Sequence, residues 1–83
     1  MNKMTEQSEA LFKAYVNDAD NWSGTPLVGG NVSSSLETNG NLTHLKKLGL
    51  ITTFEDDGCK WVDFTDEGKE YAINQGYIDK WYW

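Results

Sequence analysis

The sequence predicts a small α+β domain, helical in its first half and finishing with a two-stranded hairpin and a last helix. Three observations lead there. An apolar stripe recurs at helical spacing near the N-terminus, a leucine-spaced helix stops at Gly49, and two strand-like runs flank Glu55-Asp56-Asp57-Gly58. Eighty-three residues suffice for one core, so residues 1–83 read as a single domain with its core in about 5–73 and a tail over 74–83.

The first helix is expected from Thr5 to about Asp18, with Thr5 as N-cap and Glu6 favourable in the first turn. Leu11, Phe12, Tyr15, Val16 and Ala19 form one stripe, read as a core face. From Asn21 to Asn31 the chain is punctuated by Gly24, Pro26, Gly29 and Gly30, which leaves Thr25-Pro26-Leu27-Val28 at most a short extended piece. A phosphate-binding loop is excluded there, because no Gly-Lys-Ser/Thr follows.

A short helix over Ser33 to Thr38 is expected to point Val32 and Leu36 inward, and Asn39-Gly40 then makes a tight turn. The next helix runs from about Asn41 to Leu48. Its leucines Leu42, Leu45 and Leu48 share one side, while Thr43 and Lys47, flanked by His44 and Lys46, share the other. Gly49 ends this helix. Leu50 to Phe54 and Lys60 to Phe64 are the strands, with Glu55 to Gly58 as the turn. Alternation places Val62 and Phe64 on the core face and Trp61 and Asp63 on the outer face. Thr65 caps a last helix that ends at Asn74-Gln75-Gly76, before a tail carrying Tyr77, Trp81, Tyr82 and Trp83.

Composition bounds the chemistry. No apolar run is long enough for a membrane span, and no basic stretch precedes an apolar one as in a secretory signal. Cys59 has no second cysteine to pair with, and one Cys with one His cannot build a structural zinc site. Packing alone must hold the domain, which suits a reducing cytoplasm. One histidine, with no nucleophile pair and no convergent carboxylates, argues against an enzyme, and no cofactor or metal is implied. The alternating Asp pattern of a calcium loop is absent from Glu55-Asp56-Asp57.

Charge is uneven. Thirteen Asp/Glu against seven Lys, with no arginine, gives −6. The segment 31–48 is nevertheless positive, with Lys46 and Lys47 against Glu37, and most of the acid lies beyond Gly49.

Helix, short helix, tight turn, helix and hairpin is the order of a winged helix-turn-helix. Leu42-Thr43-His44-Leu45-Lys46-Lys47-Leu48-Gly49-Leu50-Ile51 resembles the end of the recognition helix in winged-helix regulators. Phe64-Thr65-Asp66-Glu67-Gly68 resembles the Leu-Thr-Asp/Glu-x-Gly step that follows the wing in MarR-like proteins. The resemblance covers roughly residues 5–73 and is weakest over Asn21–Asn31, where the family has a compact helical element. It implies a three-helix core, a two-stranded wing and a C-terminal helix.

It also implies a transcriptional regulator that binds duplex DNA, with the recognition helix in the major groove. By position, Asn39, Asn41, Thr43 and His44 are base-facing and Lys46, Lys47 and Lys60 lie near phosphates. Asn39 and Asn41 have a second reading, as residues that shape the turn and cap the helix. The wing departs from the family, because Glu55-Asp56-Asp57 replaces the usual basic tip. An alternative function follows: a protein-interaction module in which Glu55, Asp56, Asp57 and an exposed Trp61 meet a basic partner. Trp61 is otherwise expected to lie beneath the aromatic tail. The tail either packs back on the domain or forms a homodimer interface.

Overall fold

The computed structural model describes residues 5–22, 26–28 and 40–81, and its first helix, α1, spans Glu6–Trp22. Thr5 caps it: the Ser8 amide donates to Thr5 Oγ1 at 3.1 Å. The expected stripe is the core face, since Leu11, Phe12, Tyr15, Val16 and Ala19 are all buried. The helix continues to Trp22 rather than stopping near Asp18. Asp18, Asp20 and Asn21 are weak helix formers, but burial of Ala19 against the core outweighs a propensity cost of a few tenths of a kcal/mol per residue.

The piece Pro26-Leu27-Val28 lies beside residues 60–62 of the hairpin. The Val62 amide donates to the Pro26 carbonyl at 2.8 Å, and the Val28 amide donates to the Lys60 carbonyl at 2.9 Å. Leu27 therefore lies opposite Trp61 in a single antiparallel bridge. Proline is tolerated in this edge piece because its carbonyl accepts while its missing N–H is not required. The short helix expected over Ser33 to Thr38, and the Asn39 half of the turn, lie outside the described residues.

Helix α2 spans Asn41–Lys47. Leu45 is fully buried, and Leu42 and Leu48 pack half-buried against the same core. Leu48 is the C-cap, and Gly49 follows at φ 77°. There the Gly49 amide reaches the Lys46 carbonyl at 3.1 Å and the Leu50 amide reaches the Leu45 carbonyl at 3.2 Å. This paired closure needs a left-handed residue, which glycine adopts without a Cβ penalty.

Strands β1 (Ile51–Asp56) and β2 (Cys59–Phe64) pair antiparallel, from Ile51 opposite Phe64 to Asp56 opposite Cys59. Both are longer than expected, because the turn has two residues rather than four. Asp57 and Gly58 take φ of 52° and 75°, the positive pair that a tight Asp-Gly hairpin turn demands. Ile51, Val62 and Phe64 enter the core, as alternation predicts for Val62 and Phe64.

Helix α3 spans Asp66–Asn74, capped by Thr65, whose Oγ1 accepts from the Gly68 amide at 2.9 Å and donates to the Gly49 carbonyl at 2.6 Å. The Thr65 amide also donates to the Leu50 carbonyl at 3.2 Å. The two sequence motifs, Gly49-Leu50 and Thr65 to Gly68, thus meet in space. Gly68 lies so close that a Cβ there would sit 2.0 Å from the Leu50 carbonyl oxygen.

The tail folds back as far as it is described. Ile78 is buried, the Trp81 indole packs tilted against Phe64 with ring centroids 4.9 Å apart, and Trp81 Nε1 donates to the Lys69 carbonyl at 2.9 Å. As far as Trp81 it covers the core side of the hairpin base, at Phe64; Tyr82 and Trp83, on which the expected cover of Trp61 also rests, lie outside the described residues. Among the described residues the architecture is α+β, with three helices and a two-stranded antiparallel hairpin. No described helix is long and apolar enough to cross a membrane.

Candidate nucleic-acid interface on helix α2

At about 100° per residue, Thr43, Lys46 and Lys47 fall on one side of α2, and all three are exposed. The opposite side is fixed by the burial of Leu45 and by a cross-helix hydrogen bond. Ser8 Oγ and His44 Nδ1 lie 2.8 Å apart, joining α1 to α2. Ser8 has no exposed surface, so this pair ties two helices together and does not present a serine hydroxyl to a substrate.

Two of the residues assigned to base contact are not freely exposed. His44 is half-buried against Ser8, with Nδ1 engaged, so it is not a free outward residue. On the helical wheel it flanks the exposed face, and the docking of α1 takes that flank. Asn41 is 5% exposed and cannot reach a base edge. It does not cap α2 either, because Gly40 at φ 80° holds that position with no side-chain cap. Among the described residues no buried side-chain nitrogen or oxygen lacks a hydrogen-bond partner, so Asn41 is a satisfied core polar group. Asn39 lies outside the described residues.

On the hairpin, Lys60 is exposed but stands directly opposite Glu55, with Asp56 and Asp57 close by at the tip. Trp61 is half-buried, not a free anchor, and its Nε1 donates to the Asp56 carbonyl at 3.2 Å. Glu55, Asp56 and Asp57 are exposed as expected. Among the described residues no three His, Cys, Asp or Glu side chains converge to hold a metal ion.

Sequence reasoning missed a polar cluster behind the interface. The Tyr71 hydroxyl donates to both Glu9 oxygens, at 3.0 and 2.7 Å, and the Tyr77 hydroxyl donates to Glu9 Oε1. Both phenol rings also pack on Phe12. A faint signal existed, since Glu9 precedes Phe12 by three positions on the buried side of α1. Desolvation, reinforced by hydrogen bonding to Glu9 and by its charge, pushes the Tyr71 phenol up to about 12 and raises that of Tyr77 in the same way.

This gives an alkaline limit to stability. Below the ordinary phenol value of about 10 both folded and unfolded chains are protonated, and the contribution is intact. Above it the unfolded chain ionises first, so stability falls from about pH 10 through about pH 12, where Tyr71 ionises in the fold. Denaturation midpoints followed against pH should show this decline. Tyr71→Phe and Tyr77→Phe together should flatten it, and a decline unchanged in that double variant would disprove the assignment.

No protein-family model, curated protein or solved structure gives a significant match to this chain.

Proposed function

We propose that the chain is a small winged-helix DNA-binding protein, a transcriptional regulator that sets the outward face of α2 in the major groove. The observation that carries this reading is that the face lies on a stretch of the chain free of carboxylates. From Thr38 to Phe54 the sequence has no carboxylate, and this stretch holds exposed Thr43, Lys46 and Lys47. The element order supports it, because α2 leads through the tight Gly49 turn directly into a hairpin, with Leu27 bridging to the hairpin's far strand.

The division of labour follows from the side chains. Thr43 offers a hydroxyl and a methyl to base edges, including the thymine methyl. Lys46 and Lys47 neutralise phosphates and set the register of the helix on the duplex. The acidic hairpin tip is held away from the backbone by its own charge, so the grip is a single helix per domain. Two phosphate contacts release few counterions, with a salt slope of about −1.8 per domain. Useful affinity then requires two domains on one site, which doubles the slope.

Fluorescence anisotropy with duplex DNA over a salt series checks this. Lys46→Ala and Lys47→Ala should each weaken binding and each reduce the slope by about 0.9 per domain. Lys60→Ala should leave the slope unchanged. Lysine variants of α2 that bind as tightly and as salt-dependently as the parent chain would rule the proposal out.

A further inference from the structure

The outer face of the sheet carries an apolar row that the core does not use. Residues directly opposite in an antiparallel pair share a face, so Leu27, Trp61 and Phe54 line up across it, from the edge piece through β2 to β1. None of the three joins the hydrophobic core cluster, and Phe54 remains 42% exposed. The neighbouring rows on this face are Asp56 opposite Cys59 and Thr52 opposite Asp63. The nearest cation, Lys60, alternates to the other face. An apolar row whose exposed member is Phe54 is thus bordered by two carboxylates on a face with no cation of its own hairpin.

We infer that this face docks a cationic segment of a partner protein, one carrying an apolar side chain that packs on Phe54 and Trp61 while its lysines or arginines meet Asp56 and Asp63. Charge complementarity selects that occupant. A phosphate backbone or an anionic lipid surface would meet the two carboxylates and the acidic tip beyond them. A second copy related by a twofold axis would set the same carboxylates against their equivalents. Phe54 is the anchor, because Trp61 is partly covered and its indole N–H is already committed to the Asp56 carbonyl. The inference is independent of α2 and stands or falls apart from DNA binding.

The test uses the full chain and a synthetic lysine-rich peptide with spaced phenylalanines, followed by amide resonances. Two control peptides carry glutamate in place of lysine, or lysine without phenylalanine. Saturable shifts centred on Thr52, Phe54, Asp56 and Trp61 are expected with the first peptide, and much weaker ones with the controls. Phe54→Ala should weaken binding by about tenfold. Asp56→Asn should weaken it and flatten its salt dependence, and this exposed substitution provides a second reading if Phe54→Ala disturbs the hairpin. Lys46→Ala should have no effect. Equal affinity for Phe54→Ala and the parent, or shifts spread over Asp66 to Glu70 as general attraction to acid, would overturn the inference. So would a dimer in sedimentation that Phe54→Ala dissolves, since the occupant would then be a second copy.

Discussion

Replacing Gly68 by alanine should strongly destabilise the domain. Gly68 is not among the positive-φ glycines, so alanine is allowed by its backbone, and helix propensity alone would favour the change by about 1 kcal/mol. The obstacle is steric. The new Cβ would stand 2.0 Å from the Leu50 carbonyl oxygen and 2.9 Å from its carbon, both backbone atoms in the turn between α2 and β1. Nothing flexible can move aside. Relief requires α3 to withdraw, which would break the Thr65 bonds to Gly49 and Leu50. Overpacking of this kind costs typically 1–3 kcal/mol and more against backbone, so the clash exceeds the propensity gain. With about 4–8 °C of melting temperature per kcal/mol in a domain of this size, a fall of roughly 10 °C or more is expected by circular dichroism. An unchanged melt would mean that α3 does not dock on Leu50.

Leu45→Ala should be comparably damaging for the opposite reason. Leu45 is fully buried where α2 meets the core, and truncation leaves a cavity worth about 2–5 kcal/mol. Against a total of roughly 4–12 kcal/mol for a chain this short, that is a large fraction. Leu42→Ala and Leu48→Ala should cost less, because both side chains are half-buried. The ranking matters more than any single value. Denaturant midpoints that order Leu45 with its half-exposed neighbours would show that α2 is seated differently. Lys46→Ala and Lys47→Ala, on the exposed side, should leave the midpoint within about 0.5 kcal/mol of the parent and so separate binding from folding.

What was legible in the sequence was local and periodic. The stripe from Leu11 to Ala19, the buried Leu45, the inward Val62 and Phe64 and the turn at Gly49 all follow from spacing within one element. What was not legible depended on how elements dock. Position on α2 places His44 beside the exposed face, but not which flank α1 covers, so its bond to Ser8 was hidden. Pro26 reads as a breaker, and its service as an acceptor appears only once β2 lies alongside. The tyrosine pair on Glu9 joins residues 62 and 68 positions apart, beyond the reach of any periodicity.

The candidate site was narrowed in the same way. Thr43, Lys46 and Lys47 keep an outward position, while Asn41 and His44 are withdrawn by burial and by a helix–helix contact. The outer row at Phe54 escaped notice because alternation along each strand says nothing about which residues stand side by side. Register supplies that, and register here is set by the two-residue Asp57-Gly58 turn.

A titration of the full chain with duplex DNA at low salt, followed by amide resonances, tests the central claim most directly. The account predicts shifts concentrated on residues 40–48, largest at Thr43, Lys46 and Lys47, fading as salt rises and leaving the acidic tip at Asp56-Asp57 unmoved. An absence of shifts in residues 40–48 at low salt, or shifts confined to the hairpin, would contradict it.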